Sequence, residues 1–319
     1  MTAPAIRLDR VSKHFGDFVA VGDFSMKVPA GVIYGVLGPN GAGKTTTLRM
    51  INDILAPDSG SIRLFGNLSP GRRASMRIGY LPEERGLYPN MKVAEMLRFF
   101  GELRGLAAKE AAQRARHWLE RLGIDDWGDN RVQDLSKGMQ QKVQFASALI
   151  HEPELLILDE PWGGLDPINA DVLREIVLEQ KQKSRTILFS THLMEQAEKI
   201  CDHVCIIARG KSVLEGELDQ LKRDAAGDRL VALSFETQEA ATTATETVLA
   251  DDGLVAAIRQ RRDHIEIELA PRVEPQSLLE RLIANELPVR RFERFEPSLH
   301  QIFVDRVGTE AASDKDGRQ

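Results

Sequence analysis

A glycine-rich loop that ends in a lysine and two threonines is the stretch best suited to chemistry. The loop fits the pattern G-x-x-x-x-G-K-[ST], and its residues are Gly38, Pro39, Asn40, Gly41, Ala42, Gly43, Lys44, Thr45 and Thr46. The glycines let backbone N–H groups converge on an anion without a steric clash from a Cβ atom. We expect this phosphate loop to bind the phosphates of a nucleotide, with Lys44 reaching the β and γ phosphates and the Thr45 hydroxyl ligating Mg²⁺.

The segments on either side of the phosphate loop support this interpretation. An apolar run at 32–37 predicts a strand before the loop, and 46–51 predicts a helix after it. The start of a helix adds the positive end of its dipole to the anion site. The alternative is a glycine turn that carries a lysine by chance, and the strand–loop–helix order disfavours it.

Two acidic residues follow a second buried strand. The apolar run 155–158 predicts a strand buried on both faces of a parallel sheet, and Asp159 and Glu160 come directly after it. A Mg²⁺-holding aspartate lies at this place in phosphate-loop enzymes, at the carboxyl end of the sheet. The next predicted strand, 186–190, ends in Thr191 and His192, so His192 is expected at the same edge.

The composition is that of an ordinary globular chain. Of the 319 residues, 42% are apolar and 28% are charged, and the length predicts two domains. No apolar run is long enough to span a bilayer, and the first residues lack the features of a secretory signal. The net charge of −6 argues against a broad nucleic-acid-binding face. Cys201 and Cys205 are too few for a disulfide framework, which fits a reducing cytoplasm.

The remaining pattern predicts an antiparallel layer, a helical region and a second small domain. Short strands are expected at 6–11, 18–21 and 24–28, and one continuous helical pattern at 92–122. Beyond a linker near 225, the order βαββαβ over 230–295 predicts a ferredoxin-like domain, followed by a helix at 298–307. Phe15, ahead of the phosphate loop, is equally consistent with stacking on a purine and with a core position.

Five motifs in a fixed order resemble the ATP-binding subunit of ABC transporters over about 5–220. Besides the phosphate loop and the strand ending in Asp159 and Glu160, they include Gly164-Leu165-Asp166, similar to the family's D-loop, and His192, similar to its switch histidine. The fifth is the signature segment, whose residues are Leu135, Ser136, Lys137, Gly138 and Met139. The C-terminal part and the run 81–89 resemble the sodium-exporter-like ATPases of this family.

The resemblance implies a fold and a division into domains. The expected class is α/β, a phosphate-loop NTPase of ABC type with a mixed sheet core, an antiparallel β layer and a helical subdomain, joined to the small α+β ferredoxin-like domain. The expected ATP-binding domain covers 1–222, with its helical subdomain at about 84–150. The expected C-terminal domain covers 223–307, with a regulatory role as its interpretation, and 308–319 are expected to form a disordered tail.

The resemblance also implies cofactors and residue roles. ATP and Mg²⁺ are the cofactors, and Thr45, Glu83 and Asp159 are the metal ligands. Glu160, His192 and Lys44 are catalytic, with Glu160 polarising the attacking water. The remaining nucleotide contacts come from the rest of the phosphate loop, from the signature segment, from Asp166, and from Phe15 against adenine.

The implied partners are a second copy of the chain and integral membrane permease subunits, with no nucleic acid. Two copies stack head to tail with ATP between them, and the pair powers export from the cytoplasmic face of the cell membrane. The alternatives are a soluble ATPase acting on a macromolecular partner and a regulatory subunit with weak hydrolysis.

The sequence departs from the family pattern in three places. Glu83 stands where the family usually has glutamine, and Lys137 and Met139 replace a glycine and a glutamine of the signature. Trp162 and Gly163 replace the commoner Phe-Ser before the D-loop. These changes leave nucleotide binding as the firm expectation and put the rate of hydrolysis in question.

Overall fold

The computed structural model describes residues 3–84, 86–226, 229–261 and 263–306. The chain divides into two compact units, the first ending at Leu218 and the second beginning at Asp219. The predicted disordered tail at 308–319 lies outside the described residues.

The first unit alternates strands and helices. Its elements in chain order are β1 (Ile6–Phe15), β2 (Phe18–Val28), β3 (Ile33–Leu37), α1 (Lys44–Ile51), β4 (Ser59–Leu64), α2 (Arg72–Ser75), β5 (Ile78–Leu81), α3 (Val93–Leu103), α4 (Ala108–Arg121), α5 (Lys137–Leu149), β6 (Leu155–Asp159), α6 (Pro167–Gln182), β7 (Thr186–Thr191), α7 (Met194–Glu198), β8 (His203–Ala208) and β9 (Lys211–Glu217). Single 3₁₀ turns lie at Asp125–Trp127 and Val132–Asp134.

The central sheet positions the motifs that could do chemistry. Its strand order is β5-β6-β7-β3-β8-β9, and all neighbouring pairs are parallel except β8 with β9. Strands β3, β6 and β7 are buried along their whole length, as the unbroken apolar run 155–158 predicts for β6. Because these three strands are parallel neighbours, their carboxyl ends meet at one edge of the sheet. The phosphate loop, the acidic pair and His192 lie at this edge.

A second, antiparallel sheet packs against α1 and the central sheet. Its order is β2-β1-β4. Side chains from it, such as Phe24 and Met26, share one core cluster with Leu48 and Ile51 of α1 and with strand residues of the central sheet. The two short strands predicted at 18–21 and 24–28 are one strand, β2, whose pairing with β1 shifts register at bulges. A bulge keeps a strand continuous while it disturbs the alternation of side chains, which explains the error.

The helical pattern predicted as continuous over 92–122 is two helices, α3 and α4. Helix α3 ends because Gly105 has a φ of +90°. The Gly105 N–H donates to the Glu102 carbonyl at 2.9 Å, and the Leu106 N–H donates to the Gly101 carbonyl at 3.1 Å. This pair of bonds is the Schellman motif that closes many helices. No helix in the described ranges is long and apolar enough to cross a membrane.

The second unit has the ferredoxin-like arrangement that the βαββαβ order predicts. After α8 (Leu218–Ala226) come β10 (Leu230–Phe235), α9 (Gln238–Glu246), β11 (Val255–Gln260), β12 (Ile265–Leu269), α10 (Pro275–Ala284) and β13 (Val289–Arg294). The antiparallel strands lie in the order β11-β12-β10-β13, and α9 and α10 contribute to one core with them. A last helix, 299–306, buries Leu299 and Ile302.

Candidate active site

The phosphate loop forms a tight turn between β3 and α1. Gly38 has a φ of +152°, and a Cβ atom there would lie 2.1 Å from the Ile207 carbonyl oxygen, so this position requires glycine. Lys44 is 5% exposed and folds back over the loop, where its Nζ donates to the carbonyl oxygens of Gly38 at 2.8 Å and Pro39 at 3.2 Å. The loop thus holds a buried ammonium group at the start of α1, as an anion-binding site needs.

A cleft of 310 Å³ opens over the phosphate loop. Its lining residues are Phe15, Phe18, Ala20, Asn40, Gly41, Ala42, Gly43, Lys44, Thr45, Thr46, Glu83 and Glu160. Phe15 and Phe18 face each other across the turn between β1 and β2 and are 50% and 60% exposed. Phe15 is therefore a rim residue and not a core aromatic. The sequence did not single out Phe18, although its place three residues after Phe15 across a Gly-Asp turn was a usable signal.

Asp159 lies fully buried at the end of β6, directly beside α1. Its Oδ1 accepts hydrogen bonds from Ser190 Oγ at 2.5 Å and Thr45 Oγ1 at 3.2 Å. Its Oδ2 is buried and has no partner among the described residues. Burial raises the pKa of Asp159 above its usual value, and the bonds from Ser190 and Thr45 oppose that rise. The sequence did not predict Ser190 as a site residue.

These oxygens suit a magnesium ion. An unpaired buried carboxylate oxygen is costly, and a cation would relieve that cost. Among the described residues, no group of three or more His, Cys, Asp or Glu side chains is placed so that it could hold a metal ion by itself. Mg²⁺ nevertheless needs only one or two carboxylates, because waters and substrate phosphates complete its shell. Asp159 and Thr45 fit this role, and Glu83 lines the same cleft.

Glu160 stands at the centre of the polar contacts at the sheet edge. Its backbone has a φ of +47°, and its N–H donates to the Ser190 carbonyl and to Ser190 Oγ, both at 3.2 Å. Its Oε2 accepts from Thr191 Oγ1 at 3.2 Å. Its Oε1 lies 2.9 Å from His192 Nδ1 and 3.7 Å from Lys44 Nζ. A carboxylate fixed this firmly between a lysine and a histidine can polarise a water molecule beside a phosphate.

The signature segment lies apart from the cleft. None of its residues, Leu135, Ser136, Lys137, Gly138 and Met139, is among the described residues that line the cleft. Ser136 caps α5 by accepting a hydrogen bond from the Met139 N–H at 3.3 Å.

Asp166 and His192 also lie outside the cleft lining. Asp166 caps α6 by accepting a hydrogen bond from the Asn169 N–H at 3.0 Å, and the bonds from Asn169 hold the pKa of Asp166 below its usual value. His192 contacts Glu160, which does line the cleft.

The chain is similar to several known proteins. The family model described as ABC transporter matches residues 21–163, and the one described as ATP-binding protein DrrA1-3-like, C-terminal domain, matches 216–307. The uncharacterized ABC transporter ATP-binding protein YhaQ of Bacillus subtilis is 41% identical over 95% of this chain and 98% of its own. The Nod factor export ATP-binding protein I of Cupriavidus metallidurans is 41% identical over 69% of this chain and 73% of its own.

A solved structure shows the same fold. The structure titled "Structure of ATP binding subunit of ABC transporter" superposes with a TM-score of 0.64 at 32% identity, over 69% of this chain and 93% of that one.

Proposed function

The chain belongs to the family of ABC transporter ATP-binding proteins, and from this premise we propose that it hydrolyses ATP to power export through separate membrane permease subunits. The observation that carries the proposal is the contact of Glu160 with Lys44 and His192 at the edge of the nucleotide cleft. Nucleotide binding alone needs the phosphate loop, whereas hydrolysis needs a base or water-orienting group next to the terminal phosphate.

Each residue of the site has a separate role in the proposed hydrolysis of ATP. Lys44 and the backbone N–H groups of the phosphate loop bind the phosphates and stabilise the charge that develops on them. Glu160 orients and polarises the attacking water, and His192, hydrogen-bonded to Glu160, keeps that carboxylate in place. Asp159 and Thr45 are the proposed magnesium ligands, with Glu83 as a third. The bound ion supplies charge neutralisation on the phosphates.

The separation of the signature segment from the cleft supports a head-to-tail dimer. Ser136 and Lys137 are exposed, and Gly138 and Met139 partly exposed, at the start of α5, and none of them lines the cleft over the phosphate loop of their own chain. The first turn of a helix is suited to bind a phosphate. A second copy would bring this helix start over the first copy's cleft, and would complete the nucleotide site together with Asp166.

An aromatic cluster in the helical subdomain is the proposed docking face for the permease. Tyr88 is 48% exposed and contacts Phe99 and Phe100 of α3 at ring-centroid distances of 5.8 and 6.1 Å. Leu103 of the same helix is 58% exposed. Exposed apolar side chains clustered in this way mark interaction surfaces. Docking would place the chain at the inner face of the cell membrane, and the Nod factor export relative supports export as the direction.

The test compares Glu160→Gln with Glu175→Gln, the same change at an exposed position on α6. The full chain is purified with the membrane proteins that accompany it, and nucleotide binding and ATP turnover are measured. Glu160→Gln should bind ATP normally and lose at least about 100-fold in turnover, the scale expected for a lost general base. Glu175→Gln should match the wild type. Turnover that survives Glu160→Gln, or a wild type that never hydrolyses ATP with its membrane partner, would refute the proposal.

A further inference from the structure

Two buried glutamines of α5 point at the loops that carry the active-site carboxylates. Gln144 is 3% exposed, and its Nε2 donates to the carbonyl oxygens of Pro82 at 3.0 Å and Glu84 at 3.2 Å. Gln141, one turn earlier, is 6% exposed and donates from Nε2 to the Pro161 carbonyl at 3.3 Å. Residues three apart lie on the same face of a helix, so this face of α5 holds both loops.

The orientation of the Gln144 amide follows from its partners. Two carbonyl oxygens can only accept hydrogen bonds, and the amide nitrogen has two hydrogens to give. If the amide were flipped, its oxygen would face the carbonyl oxygens of Pro82 and Glu84, which are also acceptors. The Gln144 Oε1 consequently points elsewhere, and it is buried without a partner among the described residues. Both donors of this side chain are thus committed to the loop.

The two carbonyls flank Glu83, which lines the nucleotide cleft. When the backbone is fixed on both sides of one residue, its Cα position and the direction of its side chain are fixed too. An ion pair also joins this loop to α1, between Arg49 and Glu84 at 3.8 Å, and the Glu84 side chain is 89% exposed. Exposed pairs of this kind contribute little to stability. Gln144 is therefore the stronger anchor of the two.

The same helix connects this anchor to the signature segment. Ser136 caps α5, and Gln144 follows about two turns later, which is about 12 Å along the axis at the standard rise of a helix. A helix of this length moves as a rigid body. Displacement of its first turn is passed to the carbonyls of Pro82 and Glu84.

We propose that Gln144 is a positioning residue that sets Glu83 in the nucleotide cleft and links it to the signature end of α5. The inference rests on the proposed function, because it assigns Glu83 to the magnesium-nucleotide complex. The inference assigns a role to a residue that belongs to none of the five motifs. Gln144 acts through the loop backbone and touches neither nucleotide nor metal.

The test replaces Gln144 by methionine, which keeps the length of the side chain and removes both donors. The control is Gln180→Met, since Gln180 on α6 is also buried, at 2% exposure. Hydrogen exchange of the nucleotide-free full chain is measured at 81–84. The affinity for a fluorescent ATP analogue is measured with and without Mg²⁺ in the Glu160→Gln background. Neither readout needs turnover, so both can be read even if the chain does not hydrolyse ATP.

Gln144→Met should speed exchange at 81–84 and raise the Mg²⁺ concentration needed for tight nucleotide binding by about tenfold, the usual effect of losing an outer-shell partner. Binding without Mg²⁺ should stay within about twofold, the range for independent sites. Combining Gln144→Met with Glu83→Ala should add nothing to the Mg²⁺ effect of Glu83→Ala alone. Unchanged exchange, an unchanged Mg²⁺ requirement, additive effects or an equal response in Gln180→Met would each overturn the inference.

Discussion

Two glycines of the phosphate loop should respond in different ways to the same substitution. Gly38 has a φ of +152°, and a Cβ atom there would meet the Ile207 carbonyl oxygen at 2.1 Å. Gly41 has a φ of +78°, and a Cβ atom there would meet no atom within 4 Å. Gly38→Ala should therefore affect mainly the stability of the fold, and Gly41→Ala should affect mainly the affinity for the nucleotide.

The loss in free energy of unfolding that we expect for Gly38→Ala follows from that contact. The Ile207 carbonyl belongs to β8, which pairs with β3 and cannot retreat freely. Overpacking of this kind costs about 1–3 kcal/mol, and the backbone conformation, which is essentially restricted to glycine, costs about 1–3 kcal/mol more. A total of about 2–6 kcal/mol corresponds to a fall in Tm of roughly 4–24 °C for a domain of this size. At Gly41 the left-handed conformation costs about 1–2 kcal/mol, or roughly 2–8 °C.

Thermal unfolding and titration with a fluorescent ATP analogue separate the two effects. Gly41→Ala should fold and lose at least about tenfold in nucleotide affinity, or about 1.4 kcal/mol, because its methyl group lies in the cleft over the loop. Gly38→Ala should lose both stability and binding. The reasoning is refuted if Gly38→Ala unfolds at the wild-type temperature, or if Gly41→Ala binds nucleotide as the wild type does.

Three further predictions follow from the same site. Ser190→Ala removes a donor to Asp159 and an acceptor for the Glu160 N–H, and should weaken Mg²⁺-dependent nucleotide affinity by about tenfold while Mg²⁺-free affinity holds. Burial raises the pKa of Asp159, so the folded state binds that proton more tightly than the unfolded chain. The nucleotide-free wild type should therefore lose stability relative to Asp159→Asn as pH rises from 3.8 through the raised pKa, as denaturant titrations at several pH values would show. Phe15→Ala should lower ATP affinity by about five- to a hundredfold, the worth of one stacking contact, with little change in Tm since the ring is half exposed.

Local sequence patterns were sufficient for most of the elements and not for all their boundaries. The strand before the phosphate loop, the strand ending in Asp159 and the βαββαβ order of the second unit are confirmed, because each depends on apolar runs and alternation within a few residues. The division between α3 and α4 was missed, although Gly105 was a readable stop signal. Strand β9 was missed because it is an edge strand with no fully buried position.

The candidate site depends on strand order, which no local pattern contains. Ser190 touches Asp159 because β7 lies between β6 and β3 in the sheet. A serine inside the run Thr186–Thr191 looks like any strand residue until that neighbour is known. Gln144 is a comparable case, since a polar residue among apolar ones on α5 has no meaning until the loop at 82–84 is placed against it.

The charges in the cleft support the proposal that it binds a metal-complexed nucleotide better than a bare one. Lys44 lies 3.7 Å from Glu160, and Glu83 lines the same space. Asp159 adds a buried carboxylate with one unpaired oxygen beside Thr45. A bare triphosphate would bring its negative charge close to three carboxylates, and Lys44 already shares its charge with one of them. A nucleotide complexed with a divalent cation would bring positive charge to the unpaired oxygen of Asp159, and Lys44 would then be available to the phosphates.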